Sequence, residues 1–408
     1  MPSLVGSEMC IRDRTTDHIV IIGGGIVGSS IAYHLCSGQH TATAVTVIER
    51  DPSYRRASSY LAMGGIRQQF SSTANIRFAQ HSIDFYKGLD DKLAASKTDI
   101  RVNFQQRGYL FLVNAAMAKR FEQRYTLQKQ LGASIERLNV ETIHAHAPDL
   151  KLDDIVFGLF GPEDGYAHSK AALSGFRHLA ITAGATYRTA TVTGFITEHG
   201  RVRGVRLDTG ASIAAQAIVC AVGAFTKPLA ALAGIDLPIT PVRQHLFRCG
   251  LPCSWSYRFP MVIDPSGVHW RHEDPRQPGD QDRIVVAYTK LDEPPGENFD
   301  CDMQRWNSEF QPALIARLPA LADSVLVEGW AGRYAMTPDH NPILGEYPKQ
   351  SGFYIASGFS GHGLMMAPAT GRAMADLLTT GTSNMLDISA FDPERFTRGE
   401  LFWDDAMI

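Results

Sequence analysis

Three glycines and one acid near the start of the chain have types and spacing that suit a defined chemical task. Gly23, Gly25 and Gly28 follow a run of branched apolar residues, and Glu49 ends the next apolar run. Gly23 permits a tight turn, and Gly25 lets backbone N–H groups approach phosphate oxygens, because a side chain there would block them. Gly28 allows the following helix to pack closely on a sheet. Glu49 is placed to bind both hydroxyls of a ribose.

These residues require a strand, a turn, a helix and a second strand, in that order. The sequence supplies these elements as the apolar run 19–22, a helix-like stretch ending at Leu35 and the apolar run 44–48. The helix N-terminus would direct unpaired N–H groups and the positive end of its dipole at the phosphates. The pattern predicts a dinucleotide-binding βαβ unit, although the glycine motif taken alone is also compatible with a purely structural turn.

Composition and charge indicate an ordinary globular protein. The 408 residues carry a net charge of −3, with 44% hydrophobic and 20% charged residues. That length predicts two or three domains, and the charge gives no reason to expect nucleic acid or an anionic membrane. No apolar run is long enough to span a bilayer. We expect a cytoplasmic protein without a metal site, because no cysteine or histidine cluster has metal-ligand spacing.

The first residues form a separate case. SLVGSEMCIRD at positions 3–13 resembles the translation of a sequencing-library adapter, a contaminant of assembled metagenomic reads, and it lacks the apolar core of a signal peptide. We therefore predict that 1–14 is a non-native tail. Five cysteines remain after it, scattered and odd in number, which favours reduced thiols: Cys36, Cys220, Cys249, Cys253 and Cys301.

The rest of the chain alternates helical and β-rich stretches. Helices are predicted at 73–98, 115–132 and 171–184, and strands at 104–113, at several places in 186–219, at 217–225 and in 238–330. The stretch 353–378 again has the order strand, glycine turn and helix. Dinucleotide-type signals at both ends of the chain, with a β-rich region between them, predict two domains built from discontinuous segments.

Ten ordered strings carry a family resemblance: GGGIVGSSIAYHL, GGIRQQF, QQRGYLFLV, EDGYAHSKAALSGF, AVGAFTKPL, LPITPVRQ, DPSGVHWR, GWAGRYAMTPDHNPILG, SGFSGHGLMMAPATG and FDPERF. Through them, nearly all of residues 18–396 resembles the D-amino-acid oxidase/sarcosine oxidase superfamily of FAD enzymes. GGIRQQF and TPDHNPILG are most similar to one branch. That branch includes β-type subunits of dye-linked proline dehydrogenases, sarcosine-oxidising enzymes and a flavoprotein that assists assembly of mitochondrial complex I.

The resemblance implies a fold of class α/β plus α+β. A Rossmann-like FAD-binding domain is expected in residues 15–100, 160–236 and 328–400. A β-rich substrate domain is expected in residues 101–159 and 237–327. Both domains would be discontinuous in sequence, with the AMP half of FAD on the first βαβ unit and the flavin under the β-rich domain.

The same resemblance implies which residues bind the cofactor. The helix that begins near Leu364 would direct its positive end at flavin N1 and C2=O, where negative charge accumulates on reduction. Standing alone, its glycine turn is also compatible with an ordinary strand-to-helix connection. The implied FAD contacts are Gly23, Gly25, Ile26, Val27, Gly28, Glu49, Arg50, Ser58, Ser59, Gly65, Val192, Ala221, Gly223, Gly361, His362, Gly363, Leu364 and Met365.

The chain departs from the family pattern at four positions. Gly332 and Leu61 stand where relatives attach the flavin through Cys or His, so we predict that FAD is bound without a covalent bond. Met365 replaces a Lys that holds the substrate carboxylate in monomeric sarcosine oxidases. Val285 replaces a Lys that promotes reaction with oxygen, and losing that positive charge favours slow use of oxygen.

Four residues are the candidates for substrate chemistry. Arg67 could grip a carboxylate through two parallel bonds, or instead form a structural ion pair or touch the flavin. Arg333 and Tyr334 lie in a stretch that lines the pocket in relatives, although Tyr334 could simply pack. His362 could contact the flavin edge or only fill space. Weaker candidates for the pocket are Trp270, Tyr288, Met366 and His245.

The resulting hypothesis is an FAD-dependent enzyme that oxidises the C–N bond of a secondary or N-methyl amino acid or amine. Hydride would pass to flavin N5, and the imine product would hydrolyse in water. The electron acceptor would be oxygen or another oxidant, and a partner subunit or homo-oligomer is compatible with the sequence. The alternatives are a flavoprotein acting in assembly or electron relay of a larger complex, and a nicotinamide-dependent dehydrogenase.

Overall fold

A computed structural model describes residues 18–37, 44–252, 257–273, 282–289 and 293–404. The predicted tail at 1–14, together with Cys10 and Cys253, lies outside the described residues. The four described cysteines are free: Cys36, Cys220, Cys249 and Cys301.

Strands and helices alternate along the chain. The strands are β1 (His18–Ile22), β2 (Ala44–Glu49), β3 (Gly65–Ile66), β4 (Tyr109–Asn114), β5 (Glu136–Leu138), β6 (Ile155–Gly161), β7 (Gly165–Tyr166), β8 (Thr186–Thr189), β9 (Val192–Glu198), β10 (Arg201–Leu207), β11 (Ser212–Ala214), β12 (Ala217–Cys220), β13 (Thr240–Gly250), β14 (Met261–Ile263), β15 (Val268–Glu273), β16 (Arg283–Tyr288), β17 (Val325–Met336), β18 (Ile343–Glu346) and β19 (Phe353–Ser357).

The α-helices are α1 (Ile26–Cys36), α2 (Ser58–Leu61), α3 (Thr73–Lys87), α4 (Leu89–Ala95), α5 (Ala118–Gln130), α6 (Val140–His146), α7 (Ser169–Thr182), α8 (Thr226–Ala231), α9 (Gln311–Arg317), α10 (Gly363–Thr380) and α11 (Arg395–Arg398). Short 3₁₀ turns occur at Gly223–Phe225, Pro319–Leu321 and Ser389–Phe391, and a π-helical turn at Trp306–Phe310 leads into α9.

A six-stranded sheet forms the first half of the fold, in the order β18-β19-β12-β1-β2-β8. All neighbours in it are parallel except the antiparallel edge strand β18. Helices α1, α3, α7 and α10 pack on one face, and the antiparallel strands β9, β10 and β11 pack on the other. Burial on both faces explains the near-continuous apolar run of β1. The predicted Rossmann-like fold is confirmed.

The second half of the fold is an eight-stranded sheet in the order β17-β13-β16-β15-β14-β4-β6-β5. Its two longest strands, β13 and β17, pair from Thr240 opposite Met336 to Gly250 opposite Val325. One face packs against α6 and α9 around Trp270, Phe247 and Phe310. Burying each such side chain contributes on the order of 2 kcal/mol, so this face is well fixed. The opposite face is available to line a site.

Several elements differ from the sequence predictions. Of the strands predicted in 186–219, β9, β10 and β11 form an antiparallel sheet of their own, whereas β8 and β12 join the parallel sheet. The predicted helix 73–98 is divided at Gly88 into α3 and α4, and α9 interrupts a region predicted as β-rich. Strand β17 crosses the predicted boundary between 327 and 328, because its pairing with β13 continues on both sides of an irregularity at Val327. The domain boundaries otherwise stay a prediction.

Candidate functional site

A cavity of about 810 Å³ lies between the two sheets. On one side it is lined by Ile22, Glu49 and Ala221, at or just after the carboxyl ends of β1, β2 and β12. On the other side it is lined by residues of the eight-stranded sheet, including Tyr109 and Tyr334. Ligands of open α/β sheets bind at this carboxyl edge, so the cavity is the candidate site.

The first glycine turn is closely packed at two of its three glycines. Gly23 has φ +99°, and a Cβ there would lie 2.5 Å from the carbonyl oxygen of Ala221. A Cβ on Gly28 would overlap the carbonyl oxygen of Gly23. Gly28 is buried and does not line the cavity. Its predicted contact with the cofactor is therefore corrected to a packing role, in which it lets α1 approach β1.

Gly25 is the open glycine of the turn. It caps α1 without any side-chain hydrogen bond, and the nearest atom to a Cβ there would be Ser59 Oγ at 3.9 Å. The backbone N–H of Ile26 donates to Ser59 Oγ at 3.4 Å. Apart from this long bond, the N-terminus of α1 faces the cavity with no side-chain cap from its own N-cap residue, an arrangement that suits binding of a diphosphate.

Glu49 is fixed at the tip of β2 by two backbone donors. Gly24 N donates to its Oε2 at 2.8 Å, and Asp51 N donates to its Oε1 at 2.9 Å. Each carboxylate oxygen has a second lone pair that can accept from a ribose hydroxyl. Gly223, beyond β12, has φ +54° and no neighbouring atom within 4 Å of a Cβ position. These features fit the adenosine diphosphate half of FAD.

The second glycine turn begins α10 on the far side of the cavity. His362 caps this helix and makes no side-chain capping bond, so the helix N-terminus is again directed at the cavity without a side-chain cap. Gly361 has φ +96°, and a Cβ there would lie 2.6 Å from Cε2 of Tyr334. Tyr334 therefore packs on the turn because Gly361 has no side chain. The arrangement fits an electron-rich ring system near this helix end.

Arg67 connects that turn to the loop after β3. It is 1% exposed, donates to the carbonyl oxygen of Gln69 at 2.5 Å, and lies 3.3 Å from Nε2 of His362. Its guanidinium carbon lies 4.2 Å from the ring centre of Phe70. Burial, and to a lesser extent Arg67, hold the pKa of His362 well below its ordinary value. His362 is therefore neutral and accepts from Arg67 through Nε2.

The sheet wall opposite the turn holds a histidine that sequence reasoning missed. His269 lines the cavity and is 5% exposed, whereas the weaker candidates Trp270 and Tyr288 do not line it. Side chains alternate along a strand, so Trp270 points to the other face, into the core around Phe247. The only available signal was the position of His269 next to Trp270 in DPSGVHW.

His245 lies at the margin of the cavity, but its ring is on the face of β13 that is directed away from the glycine turns. It follows Gln244 in β13, shares a face with Phe247, and lies with its Nδ1 3.3 Å from Nη1 of Arg305. Arg305 is in turn paired with Glu293. Burial, with Arg305 adding to it, lowers the pKa of His245 to about 4. This network fixes His245 outside the wall that faces the glycine turns.

The positions where relatives attach flavin lie against each other. A Cβ on Gly332 would touch Cβ of Leu61 at 3.4 Å, and both residues line the cavity. None of the described cysteines lines it. Met365 lines the cavity, while Met366 and Val285 are buried in the surrounding core.

The structure brings most of the predicted site together. Every predicted FAD contact except Gly28 lines the cavity, as do Arg67, Arg333 and Tyr334. Arg67, His362 and Tyr334 meet around Gly361, whereas Arg333 projects from the opposite face of β17 toward Phe225 and Phe299. Other lining residues that the sequence did not single out are Tyr54, Arg56, Met63, Tyr109, Phe225, His269, Ala287, Thr289 and Phe299.

No described helix combines the length and apolar character that crossing a bilayer needs. Within the same part of the chain, no group of three or more His, Cys, Asp or Glu side chains could hold a metal ion.

The geometry agrees with comparisons to known proteins. A family model described as DAO, FAD dependent oxidoreductase, matches residues 18–377. FAD-dependent oxidoreductase domain-containing protein 1 of Xenopus laevis is 31% identical over 412 residues, covering 93% of this chain and 82% of that protein. Glycine oxidase of Geobacillus kaustophilus is 25% identical over 375 residues, covering 88% of this chain and 92% of that protein.

Solved structures show the same fold. L-proline dehydrogenase from P. horikoshii superposes with a TM-score of 0.85 at 31% identity, covering 95% of this chain and 99% of that one. The structure of glycine oxidase from Geobacillus kaustophilus gives a TM-score of 0.80 at 22% identity, with coverage of 93% and 99%.

Proposed function

Because this chain belongs to the DAO family of FAD-dependent oxidoreductases, we propose that it oxidises the C–N bond of an amino acid or amine. The substrate class we favour is a secondary or N-methyl amino acid of the proline or sarcosine type. Similarity to L-proline dehydrogenase over 95% of the chain supports this class. Bound FAD would supply the hydride acceptor, and the protein residues would bind and orient the substrate.

The observation that carries the proposal is the meeting of Arg67, His362 and Tyr334 around Gly361. These side chains surround the N-terminus of α10, where we expect the flavin to lie. Arg67 is a buried cation beside the cavity, and a planar guanidinium pairs well with a carboxylate. Tyr334 offers a hydroxyl whose pKa burial raises, so it stays a hydrogen-bond donor at neutral pH.

His269 is our candidate for the contact with the substrate nitrogen. Its Nδ1 lies 3.0 Å from the carbonyl oxygen of Gly267, an acceptor, so the proton resides on Nδ1 and Nε2 carries a lone pair. Burial, with Arg67 adding to it and the Gly267 bond opposing it, lowers the pKa of His269 to about 4. Nε2 can accept from the N–H of the substrate amine, and the nearby Arg67 cation disfavours its ammonium form, which leaves the neutral amine that can lose hydride.

We further propose that FAD is bound without a covalent bond. Gly332 and Leu61 provide no nucleophile at the two positions used by relatives. The hydrogen bonds of Glu49 and the two helix N-termini without capping side chains would instead hold the cofactor by polar contacts.

Anaerobic mixing of the purified yellow protein with a panel of amines and amino acids tests the function. Oxidation should bleach the flavin band at about 450 nm, a wavelength typical of the cofactor. Parallel assays of dye reduction and peroxide would separate a dehydrogenase from an oxidase, and the absence of Lys at Val285 predicts the dehydrogenase. Failure of every amine and amino acid to bleach the flavin would overturn the proposal.

His269→Gln tests the contact with the substrate nitrogen. With the best substrate from the panel, the rate constant of flavin reduction should fall about tenfold to a hundredfold, because the nitrogen loses its orientation. His178→Gln is a matched control, since His178 is half-buried, does not line the cavity and contacts Ser96. Equal reduction rates for His269→Gln and wild type would contradict the role of His269.

The alternative function, assembly or electron relay in a larger complex, rests on the resemblance of GGIRQQF to the assembly-factor branch. In the structure, Arg67, Gln68, Gln69 and Phe70 of that motif are all buried. A buried motif shapes the site and does not offer a surface to a partner, so it favours the enzyme. A stable protein partner together with no turnover of small amines would favour the alternative.

A further inference from the structure

Arg333 is a buried cation without a hydrogen-bond partner on its side chain. It is 1% exposed, and its Nε, Nη1 and Nη2 atoms donate no hydrogen bond to any residue in the described part of the chain. Only its backbone is fixed, because Ser58 Oγ donates to its carbonyl oxygen at 2.7 Å. Leaving a guanidinium buried and unpaired is costly, so this position calls for an anion.

The guanidinium is held between two aromatic rings. Its central carbon lies 4.1 Å from the ring centre of Phe225 and 4.3 Å from that of Phe299. Arg50 lies 3.7 Å from the same Phe225 ring, and Arg56 lies 5.5 Å from the Phe299 ring. These five residues form an alternating arrangement, here called the arginine–phenylalanine stack, and all of them line the cavity.

The stack concentrates positive charge. It contains three guanidinium groups, and Glu297 is an acid that opposes the charge of Arg333. Burial lowers the pKa of Arg333, Glu297 opposes this effect, and Arg50 and Arg56 add to it. Guanidinium groups stay charged in proteins, so the excess charge persists until an anion neutralises it.

The stack lies at the same edge as the first glycine turn. Arg50 directly follows Glu49, whose carboxylate accepts from Gly24, and Phe225 ends the 3₁₀ turn after β12. Ser58, which holds the backbone of Arg333, precedes Ser59, which accepts from the first N–H of α1. Backbone contacts therefore connect Arg333 to the N-terminus of α1 through two adjacent serines.

We propose that the arginine–phenylalanine stack is an anion site for the diphosphate of FAD, with Arg333 as its central ligand. This assignment replaces the expectation that Arg333 contacts the substrate, and it is independent of the amine-oxidation proposal. Arg333 belongs to β17 of the eight-stranded sheet, whereas Arg50 and Phe225 follow strands of the parallel sheet. The diphosphate would therefore join the two sheets, and the phenylalanine rings would fix the guanidinium planes before the cofactor arrives.

Arg333→Met in the full-length chain tests the proposal by cofactor retention. Equilibrium dialysis of the holoprotein should give an FAD dissociation constant about 10- to 100-fold higher than wild type, the loss expected for a charged hydrogen bond. The ³¹P resonances of bound FAD should also shift. Arg243→Met is the matched control, because Arg243 lies opposite Arg333 in β13 but is already paired with Glu293, which keeps Arg305 when Arg243 is lost.

Competition by ADP and adenosine for the FAD site separates a diphosphate contact from general damage. Wild type and Arg243→Met should prefer ADP, and Arg333→Met should lose about 10- to 100-fold of that preference. An equal weakening of ADP and adenosine would refute the proposal. A second result would also refute it: Arg333→Met retains FAD with an unchanged ³¹P spectrum, but no longer reacts faster with amino acids than with the corresponding decarboxylated amines. The anion bound by Arg333 would then be a substrate carboxylate.

Discussion

Asp164 provides a test of how the loop that carries Arg67 is held. It is fully buried in the turn between β6 and β7, where its Oδ1 accepts from Gln68 N at 3.0 Å and its Oδ2 accepts from Gln69 Nε2 at 3.1 Å. Burial raises the pKa of this carboxyl from 3.8 to about 7, against the opposing effects of those bonds and of Arg67. The carboxyl thus holds the loop through hydrogen bonds, but its ionisation lowers the free energy of unfolding by an amount that depends on pH.

The sign follows from the two pKa values. Between pH 4 and 7, the folded protein retains a proton on Asp164 that the unfolded chain releases, so the free energy of unfolding falls as the pH rises. Three pH units at about 1.4 kcal/mol each give a loss of up to about 4 kcal/mol at pH 7 and above. Asp164→Asn keeps one acceptor and the same size but cannot ionise. The variant should therefore gain stability relative to wild type across this window.

Denaturant unfolding of both proteins, saturated with FAD and measured from pH 4.5 to 8.5, checks this expectation. Buried histidines such as His34, whose pKa burial lowers to about 4, titrate in both proteins and cancel in the difference. The difference in free energy of unfolding between variant and wild type should grow with pH up to about pH 7 and then level off. A constant difference over the whole range would refute the reasoning.

Three other outcomes are expected. Gly28→Ala should yield protein without flavin, measured as flavin absorbance per protein, because the new Cβ overlaps the Gly23 carbonyl oxygen; Gly88→Ala, with φ −98° and no atom nearer than 4.0 Å to the new Cβ, should retain flavin. Acid precipitation should leave all FAD in the supernatant, and a yellow pellet would disprove non-covalent binding. Arg395→Met should lower the free energy of unfolding by about 3–5 kcal/mol in denaturant titrations, because it leaves the Asp339 carboxylate buried and unpaired; adding Asp339→Asn should restore part of that loss.

Local patterns predicted the parts of the fold that local physics determines. The glycine motif and its flanking apolar runs identified β1, α1 and β2, because turn geometry and the approach of the helix to the sheet depend on residues close in sequence. The same reasoning identified β19 and α10. It did not show that β8 and β12 join the parallel sheet while β9 to β11 form a separate one, since a short strand has the same pattern in a meander and in a parallel sheet.

Long-range pairings were beyond the sequence. The strings TPDHNPILG and FDPERF were both recognised, yet nothing in them shows that Arg395 Nε donates to the Asp339 carboxylate at 2.7 Å. For the same reason, the sequence did not show which of His269 and Trp270 faces the cavity. Adjacent strand residues point to opposite faces, and the face that meets the cavity is determined by which strands pair, which a single sequence does not state.

The stretch Gly332-Arg333-Tyr334 shows why neighbours in sequence need not share a role. Tyr334 packs on Gly361 at one end of the cavity, and Gly332 lies against Leu61. Arg333, directed to the other face of β17, reaches Phe225 beside the first glycine turn. Since β17 is continuous through these residues, a displacement of the strand would move both ends of the cavity together. Loss of the anion at Arg333 should therefore also disturb Tyr334, which predicts that Arg333→Met alters the visible spectrum of the bound flavin while Arg243→Met does not.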